Sequence, residues 1–537
     1  MRVAIVAPPY PLEEAPSPPL GVSYVASAFE QTGAEVKVID YIVTRYTPEK
    51  LQRELKEFQP DLLGATSVTM NFPLAAEIVK TAKNFDSSLL TMMGGPHVSF
   101  DVVNTLKTYP EIDMLVIGEG EKTISELVNH FQGQGNRADI QGIAFRENGQ
   151  IIQTGKRELI EDLNTLPMPA RHLLPMSRYQ ALGFPVSMIT GRGCPYSCIF
   201  CQGRKMVGSK ARSRKASLVV DEIEQILSYG FSRINLADDL FTSDKKKVHE
   251  VCEEIRRRKL SFSWTAFSRV NTVDKETLQL MRETGCDCVS FGIESGNPAV
   301  LKRVKKGITL DQARKAVSLC KEVGILPHAS FMVGLPGETP ETLKDTQEFS
   351  RSLDIIHGFH FLAPFPGTTV REKIDQYDLE ILTDDWARYD ANSAIVRTSA
   401  LTPEAMNQFV AEFDREIQEA WEKQVQGYHD KTNAPEDNLR VEGHFRMRLV
   451  YKILSEDFLE TCGSFPMATT NNGPDNTFDL LCQRIEEATG FDSQLVHRTL
   501  KSFRDAGYIK VRQENQHFIW YWTHNNKVEQ INLSPSP

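Results

Sequence analysis

Over the first 135 residues, apolar and polar positions alternate in two rhythms. Short apolar runs at Val3–Ala7, Ala34–Asp40, Asp61–Thr69, Leu89–Gly94 and Met114–Gly118 predict strands. The segments between them, Leu20–Gln31, Pro48–Phe58, Leu74–Lys83 and Lys122–Phe131, repeat apolar residues at helical spacing. Regular alternation of strand and helix predicts an α/β fold with a doubly wound, Rossmann-like parallel sheet, whose ligands gather at the carboxyl ends of the strands. That edge carries Pro9, Ser67, Thr69, the run Gly94-Gly95-Pro96-His97 and the run Gly118-Glu119-Gly120-Glu121. Its glycines predict close backbone approach to a bulky ligand.

Residues 136–180 hold a small hairpin signal and the Pro-rich Leu166-Pro167-Met168-Pro169, and read as a connector. From Val186 the alternation resumes, with strands near Val186–Thr190, Arg233–Ala237, Phe262–Phe267, Val289–Ile293, Ala329–Val333 and Phe359–Ala363 separated by helices. Six such units predict a partial (β/α)6 barrel of the TIM type over residues 181–395, with its chemistry at the strand C-termini. Residues 396–537 change character: a long amphipathic helix at Pro403–Lys423, a polar loop at Pro466–Pro474, two helices at Asn476–Ala488 and Ser493–Ala506, and a ribbon at Tyr508–Arg512 and His517–Trp522. That order is the outline of a winged helix.

Composition narrows the function classes. No stretch approaches the ~18 apolar residues of a membrane span, and the net charge of −10, from 61 basic and 71 acidic residues, argues against wholesale phosphate-backbone binding. The N-terminus lacks the h-region and cleavage site of a leader, so a cytoplasmic protein is expected. Nine cysteines, an odd number, do not form the framework of a secreted fold.

Three of the nine are tightly spaced. Cys194, Cys198 and Cys201 form a C-x3-C-x2-C run directly after the first barrel strand. Thiolates ligate iron–sulfur clusters, and a tight loop lets three of them face one cubane, leaving one iron open. Closed zinc sites need four protein ligands, and no fourth lies nearby. Of the other cysteines, Cys252, Cys286, Cys288, Cys320 and Cys482 read as core, and Cys462 is unassigned. The basic run Arg204, Lys205, Lys210, Arg212, Arg214 and Lys215 reads as a solvated loop rather than a substrate clamp.

This loop, with Phe200 as the aromatic before the third cysteine, resembles the radical S-adenosylmethionine (SAM) superfamily. The resemblance implies that Cys194, Cys198 and Cys201 hold a [4Fe–4S] cluster whose open iron is chelated by SAM, which is cleaved to methionine and a 5′-deoxyadenosyl radical. It also implies SAM contacts at Phe200, at Asp238 and Asp239 where the family often has Gly-Gly-Glu, at Arg269 after the third strand, at Glu294-Ser295 after the fourth, and at Gly334 and Gly337 in the fifth-strand glycine motif. The two acids in place of Gly-Gly-Glu put a side-chain role there in doubt.

The preceding doubly wound domain is similar to the cobalamin-binding domains of one radical SAM branch, grouped around the anaerobic magnesium-protoporphyrin monomethyl ester cyclase and cobalamin-dependent methylases. The matching edge is Pro9, Ser67, Thr69, Gly94, Gly95, His97, Gly118, Glu119 and Gly120. The D-x-H-x-x-G sequence that supplies an axial histidine elsewhere is missing, so cobalamin is expected base-off; His97 is either a contact or a loop histidine with a local hydrogen bond, and a domain binding no cobalamin stays open. The implied activity is methyl transfer to an unactivated carbon of a small biosynthetic intermediate, with a second SAM remethylating the cobalamin and an electron donor such as ferredoxin or flavodoxin. Oxidative cyclisation is the alternative within the branch. A redox-sensing regulator using its winged helix is the alternative of another class, although acids interspersed among Arg498, Lys501, Arg504, Lys510 and Arg512 favour a docking role over nucleic acid.

Overall fold

The computed structural model describes residues 1–469 and 476–523. In chain order, β1 (Arg2–Ala7), β2 (Glu35–Asp40), β3 (Leu62–Thr66), β4 (Leu90–Gly94) and β5 (Met114–Val116) alternate with helices, and a hairpin of β6 (Ile143–Glu147) and β7 (Gln150–Gln153) follows. Next come β8 (Val186–Met188), the short ribbon β9 (Gly191–Arg192) and β10 (Arg212–Ser213), then β11 (Arg233–Leu236), β12 (Ser263–Ser268), β13 (Cys286–Glu294), β14 (Leu326–Val333) and β15 (Ile356–Phe361). A second ribbon, β16 (Glu380–Ile381) and β17 (Val396–Arg397), precedes the C-terminal strands β18 (Ser464–Pro466), β19 (Ile509–Glu514) and β20 (His517–Trp522). The chain divides into two compact units, one of residues 1–63, 169–184 and 413–537, the other of residues 64–168 and 185–412.

In the first unit β1 and β2 run parallel, with Arg2 beside Glu35 and Ala7 beside Asp40. Val3–Ala7 is buried throughout, as an unbroken apolar run in a parallel strand should be. Part of the expected connector folds into this unit. Tyr179 donates to Asp40 at 2.7 Å, and Arg178 donates to the Val43 carbonyl at 3.2 Å and pairs with Glu460. Burial pushes Asp40 up to about 6 against the pull of that tyrosine hydrogen bond.

The C-terminal module has the expected helix, helix and ribbon, at Asn476–Thr489, Ser493–Asp505 and β19–β20, plus a third strand, β18, pairing with β20. The sequence reading missed β18 and a helix at Pro435–Ser455, whose first three turns are too charged to show an apolar face. Of the polar loop expected at Pro466–Pro474, residues 470–474 lie outside the described residues. The basic side chains here have local partners: Lys501 pairs with Asp505 at 2.6 Å, Arg512 with Glu514 at 2.8 Å, and Arg504 lies 4.1 Å over the Phe478 ring. Trp520 is buried and donates to Thr477 at 2.9 Å, so the aromatic ribbon is packing.

In the second unit β4 and β5 are parallel, and β6 and β7 continue antiparallel from β5. Its second sheet has six parallel strands in the order β15-β14-β13-β12-β11-β8, open between β15 and β8. This is the partial barrel expected from the six βα units. Along β14, Pro327, Ala329, Phe331 and Val333 are buried while the residues between them are not, the period of two that separates a strand's faces. Capping boxes at Thr309 and Thr339 start the two helices flanking β14 and fix where each turn ends. Among the described residues no helix is long and apolar enough to cross a membrane.

Candidate functional site

The cysteine loop leaves β9 through Gly193, whose φ of 101° only glycine adopts readily and whose missing Cβ makes room for the Lys210 carbonyl. Cys194 is tied by its N–H to the Gly208 carbonyl at 3.1 Å, and the Cys201 sulfur accepts from the Gly203 N–H at 3.3 Å. All three cysteines are free thiols. Among the described residues no three His, Cys, Asp or Glu side chains converge closely enough to hold a single ion. The donor set here is three thiols spread along one loop, the arrangement that suits separate corners of an iron–sulfur cube. Binding there would have to expel thiol protons, since burial raises Cys194 and Cys201 above the ordinary thiol range.

The strand ends that surround this loop hold the other expected residues. Arg269, buried after β12, directs Nη1 to the Cys198 sulfur at 3.6 Å and Nε to Asn271 at 3.3 Å, and Nη2 donates to the Lys306 carbonyl. Glu294 closes β13 with a φ of 74°, at a register shift against β14, and accepts from Lys306 Nζ at 2.7 Å. A non-glycine residue in that region costs about 1–3 kcal/mol, which this buried ion pair helps to hold. The same Lys306 ammonium sits 5.9 Å from the centre of the Phe200 ring. Gly334, with a φ of 89°, donates its N–H to Glu338 at 2.7 Å, and Leu335 does the same at 3.0 Å. The other Glu338 oxygen is buried without a hydrogen-bond partner among the described residues, and burial pushes the carboxyl up to about 8. At Gly337 the Arg303 guanidinium occupies the place of a Cβ and caps the turn.

Three expected ligand contacts turn inward instead. Asp238 accepts from the Thr190 N–H and hydroxyl and from the Gly191 N–H, at 2.5–3.1 Å, so its carboxylate pins β8 to β11. Ser295 bonds Thr346 at 3.1 Å within the core. Asp239 keeps nearer the loop, accepting from Gly193 N–H at 3.1 Å. The third inward residue is Glu119. Its carboxylate takes Arg212 at 2.8 and 3.0 Å, Arg192 at 3.1 Å and the Ile160 N–H at 2.7 Å, leaving no oxygen for a ligand. Arg212 and Arg214 therefore depart from the solvated loop expected of the basic run, Arg214 being buried against Glu222. The charge pattern held no sign of this, because each partner lies in a different element.

At the carboxyl edge of β4 and β5, Gly95 has a φ of 104°, and a Cβ there would stand 2.6 Å from the Ser67 carbonyl. Ser67 and Thr69 are buried, and the Ser67 hydroxyl has no partner among the described residues. The Ser99 hydroxyl accepts from the Gly118 N–H at 3.0 Å and donates to the Gly95 carbonyl at 2.8 Å, tying the two glycine turns together. Gly94 and Gly120 stand close to Val116 in the same corner. His97 is wholly buried, stacked 3.9 Å from Phe72 and edge-on to Trp386 at 5.0 Å, with neither ring nitrogen hydrogen-bonded among the described residues. Burial, with the Arg371 charge, depresses it to about 4. The local hydrogen bond considered for it is not formed among the described residues, and the Asp101 carboxylate lies 3.8 Å from Nε2, an ion pair only when the ring is protonated. Orphaned polar atoms beside crowded glycines fit a site built to receive a large, amide-rich ligand such as cobalamin. Pro9, after β1 in the first unit, is half-buried. Lys306, Asn271 and Trp386 escaped the sequence reading, since no motif surrounds them; Tyr196 lies within the cysteine run, but nothing in the spacing marks it beyond the three thiols.

The radical SAM superfamily pattern matches residues 188–350 and the B12 binding domain pattern residues 14–128. A Pyrococcus horikoshii protein named as an uncharacterized methyltransferase is 35% identical over 420 residues, covering 76% of this chain and 91% of that one. The anaerobic magnesium-protoporphyrin IX monomethyl ester cyclase of Cereibacter sphaeroides is 31% identical, covering 75% of this chain and 68% of that one. In fold, the chain is similar to the cobalamin-dependent S-adenosylmethionine radical enzyme OxsB, with a TM-score of 0.67 at 18% identity over 96% of this chain and 82% of that one.

Proposed function

Since this chain belongs to the cobalamin-dependent radical SAM methyltransferase family, we propose that it transfers a methyl group to an unactivated carbon of a small biosynthetic intermediate. When bound, the [4Fe–4S] cluster with SAM supplies a 5′-deoxyadenosyl radical and cobalamin a transferable methyl group. The observation that carries the reading is the Glu119 knot, in which the turn after β5 grips the two arginines that flank the cysteine loop. Two cofactor edges fastened this way can address one substrate. Cys194, Cys198 and Cys201 hold the cluster; Glu294, Lys306, Phe200, Gly334 and Gly337 frame SAM; Asp239 steadies the loop through Gly193. Ser67, Thr69, Gly94, Gly95, His97, Gly118 and Gly120 receive cobalamin. A cytoplasmic setting with ferredoxin or flavodoxin as electron donor suits this chemistry, and the locally paired basic residues of the C-terminal module favour docking over nucleic-acid reading.

The experiment is anaerobic purification with cofactor extraction, followed by incubation with methyl-deuterated SAM, a reductant and a fractionated metabolite pool. Methyl transfer yields 5′-deoxyadenosine, S-adenosylhomocysteine and a deuterated product together. Likeness to the cyclase supports a second reading, oxidative ring formation, which would give 5′-deoxyadenosine and no deuterium in the product. A reconstituted protein that retains neither cobalamin nor iron and sulfide would overturn both.

A further inference from the structure

Arg269 is held far more firmly than a ligand-binding guanidinium needs to be. All three of its nitrogens have protein partners: Cys198 Sγ at 3.6 Å, Asn271 Oδ1 at 3.3 Å and the Lys306 carbonyl. Its plane lies 3.6 Å over the ring of Tyr196, a residue of the cysteine loop itself. Asn271 closes the circuit by donating from Nδ2 to the Tyr196 hydroxyl at 3.3 Å. The group is buried, so its charge is poorly screened. Three of the five guanidinium N–H donors are thus committed to the protein, one from each nitrogen.

We propose that Arg269 is a positioning residue for the iron–sulfur cluster, its N–H···S hydrogen bond to Cys198 and its fixed positive charge raising the potential at which the cluster accepts an electron. The inference rests on the radical SAM reading of the cysteine loop. Reduction adds one electron from a low-potential one-electron donor and lowers the cluster charge by one, while Arg269 stays protonated and no proton moves. Hydrogen bonds to ligand sulfur and nearby positive charge stabilise the more negative state, which is how a protein sets such a potential. Tyr196 and Asn271 keep the guanidinium from swinging away.

The test is a redox titration of the full-length, anaerobically reconstituted protein, without SAM, followed by the electron paramagnetic resonance of the reduced cluster. Arg269→Gln should lower the reduced-to-oxidised ratio at fixed potential about tenfold, a fall of about 59 mV for one electron, with iron and sulfide content unchanged. Arg269→Lys, which keeps the charge but cannot stack on Tyr196, should restore part of that shift. An unchanged potential in Arg269→Gln, accompanied by weaker SAM binding, would overturn the proposal and assign the residue to the SAM carboxylate. Should Arg269→Gln fail to hold its cluster, Asn271→Ala frees only Nε and should shift the potential less in the same direction; no shift there also overturns it. Lack of any cluster signal in the parent protein would instead count against the radical SAM reading.

Discussion

Glu119 and Arg212, 93 positions apart, meet in a bidentate pair at 2.8 and 3.0 Å, with both side chains more than nine-tenths buried. One sits in the turn after β5 and the other on β10, which pairs with β9 just before Cys194. Because Glu119 also takes Arg192 and the Ile160 N–H, a single carboxylate fixes the cysteine loop to the turn of the first sheet. Such a pair specifies geometry more than it adds stability, since both charges had to be desolvated.

Glu119→Gln should therefore destabilise the protein by about 3–5 kcal/mol, because Arg212 and Arg192 would remain buried without their counter-charge. Burial alone would raise Glu119, but Arg212, the Ile160 N–H and Arg192 together hold it below the ordinary carboxylate range. Its contribution is thus present above that ordinary range and is lost as pH falls through the lowered value. Anaerobic urea unfolding between pH 7 and pH 3 should show an acid loss in the parent that is shallower in the variant.

Cys198→Ala should remove the iron–sulfur absorption and cut reductive SAM cleavage at least a hundredfold, since two thiolates cannot replace three around a cube. The readouts are the anaerobic spectrum and the yield of 5′-deoxyadenosine. Retained cleavage in the variant lacking all three loop cysteines would contradict the assignment.

His97→Phe keeps the stack on Phe72 and removes two buried nitrogens that make no hydrogen bond among the described residues. A gain of about 1–3 kcal/mol in the cobalamin-free protein is expected, together with a loss of cobalamin retention on a desalting column. The folded value of His97 is depressed from 6.5 to about 4, so its contribution is present above 6.5 and is lost as pH falls toward 4. The variant should resist acid unfolding in that window; equal cobalamin retention by both proteins would remove His97 from the site.

Glu338→Gln tests the turn beneath Gly334. With the carboxyl raised from 4.5 to about 8, its contribution is complete below about 4.5 and is lost as pH rises through 8, by at most about 1.4 kcal/mol per pH unit. The parent should lose stability from pH 5 to pH 9, and the glutamine, neutral throughout and still able to accept from Gly334 and Leu335, should flatten that slope. Identical slopes in guanidinium titrations would argue that Glu338 is ionised in the folded state.

Much of the frame was legible because it is written in local patterns. β1 and β14 follow from apolar runs, the capped helices from Thr309 and Thr339, and the proposed cluster site from three cysteines within eight residues. The helix Pro435–Ser455 was hidden because charged residues fill its first turns, where Val441 is buried, and most of its buried apolar residues come late, at Leu449–Leu454. Asp238, Ser295 and Glu119 were read as ligand contacts because acids and hydroxyls at strand ends look alike in sequence, whether they face a ligand or the frame.

The sequence by itself determined the fold class, the order of the two cofactor domains and the three cysteines proposed as cluster ligands, since periodicity and close spacing depend on neighbouring residues alone. Only the tertiary structure decided the partners. Glu119 finds Arg212, Arg269 finds Cys198, and His97 finds the rings of Phe72 and Trp386, across gaps of tens to hundreds of residues that leave no local trace. Charge and burial at those meetings follow from packing, and packing is a property of the folded chain.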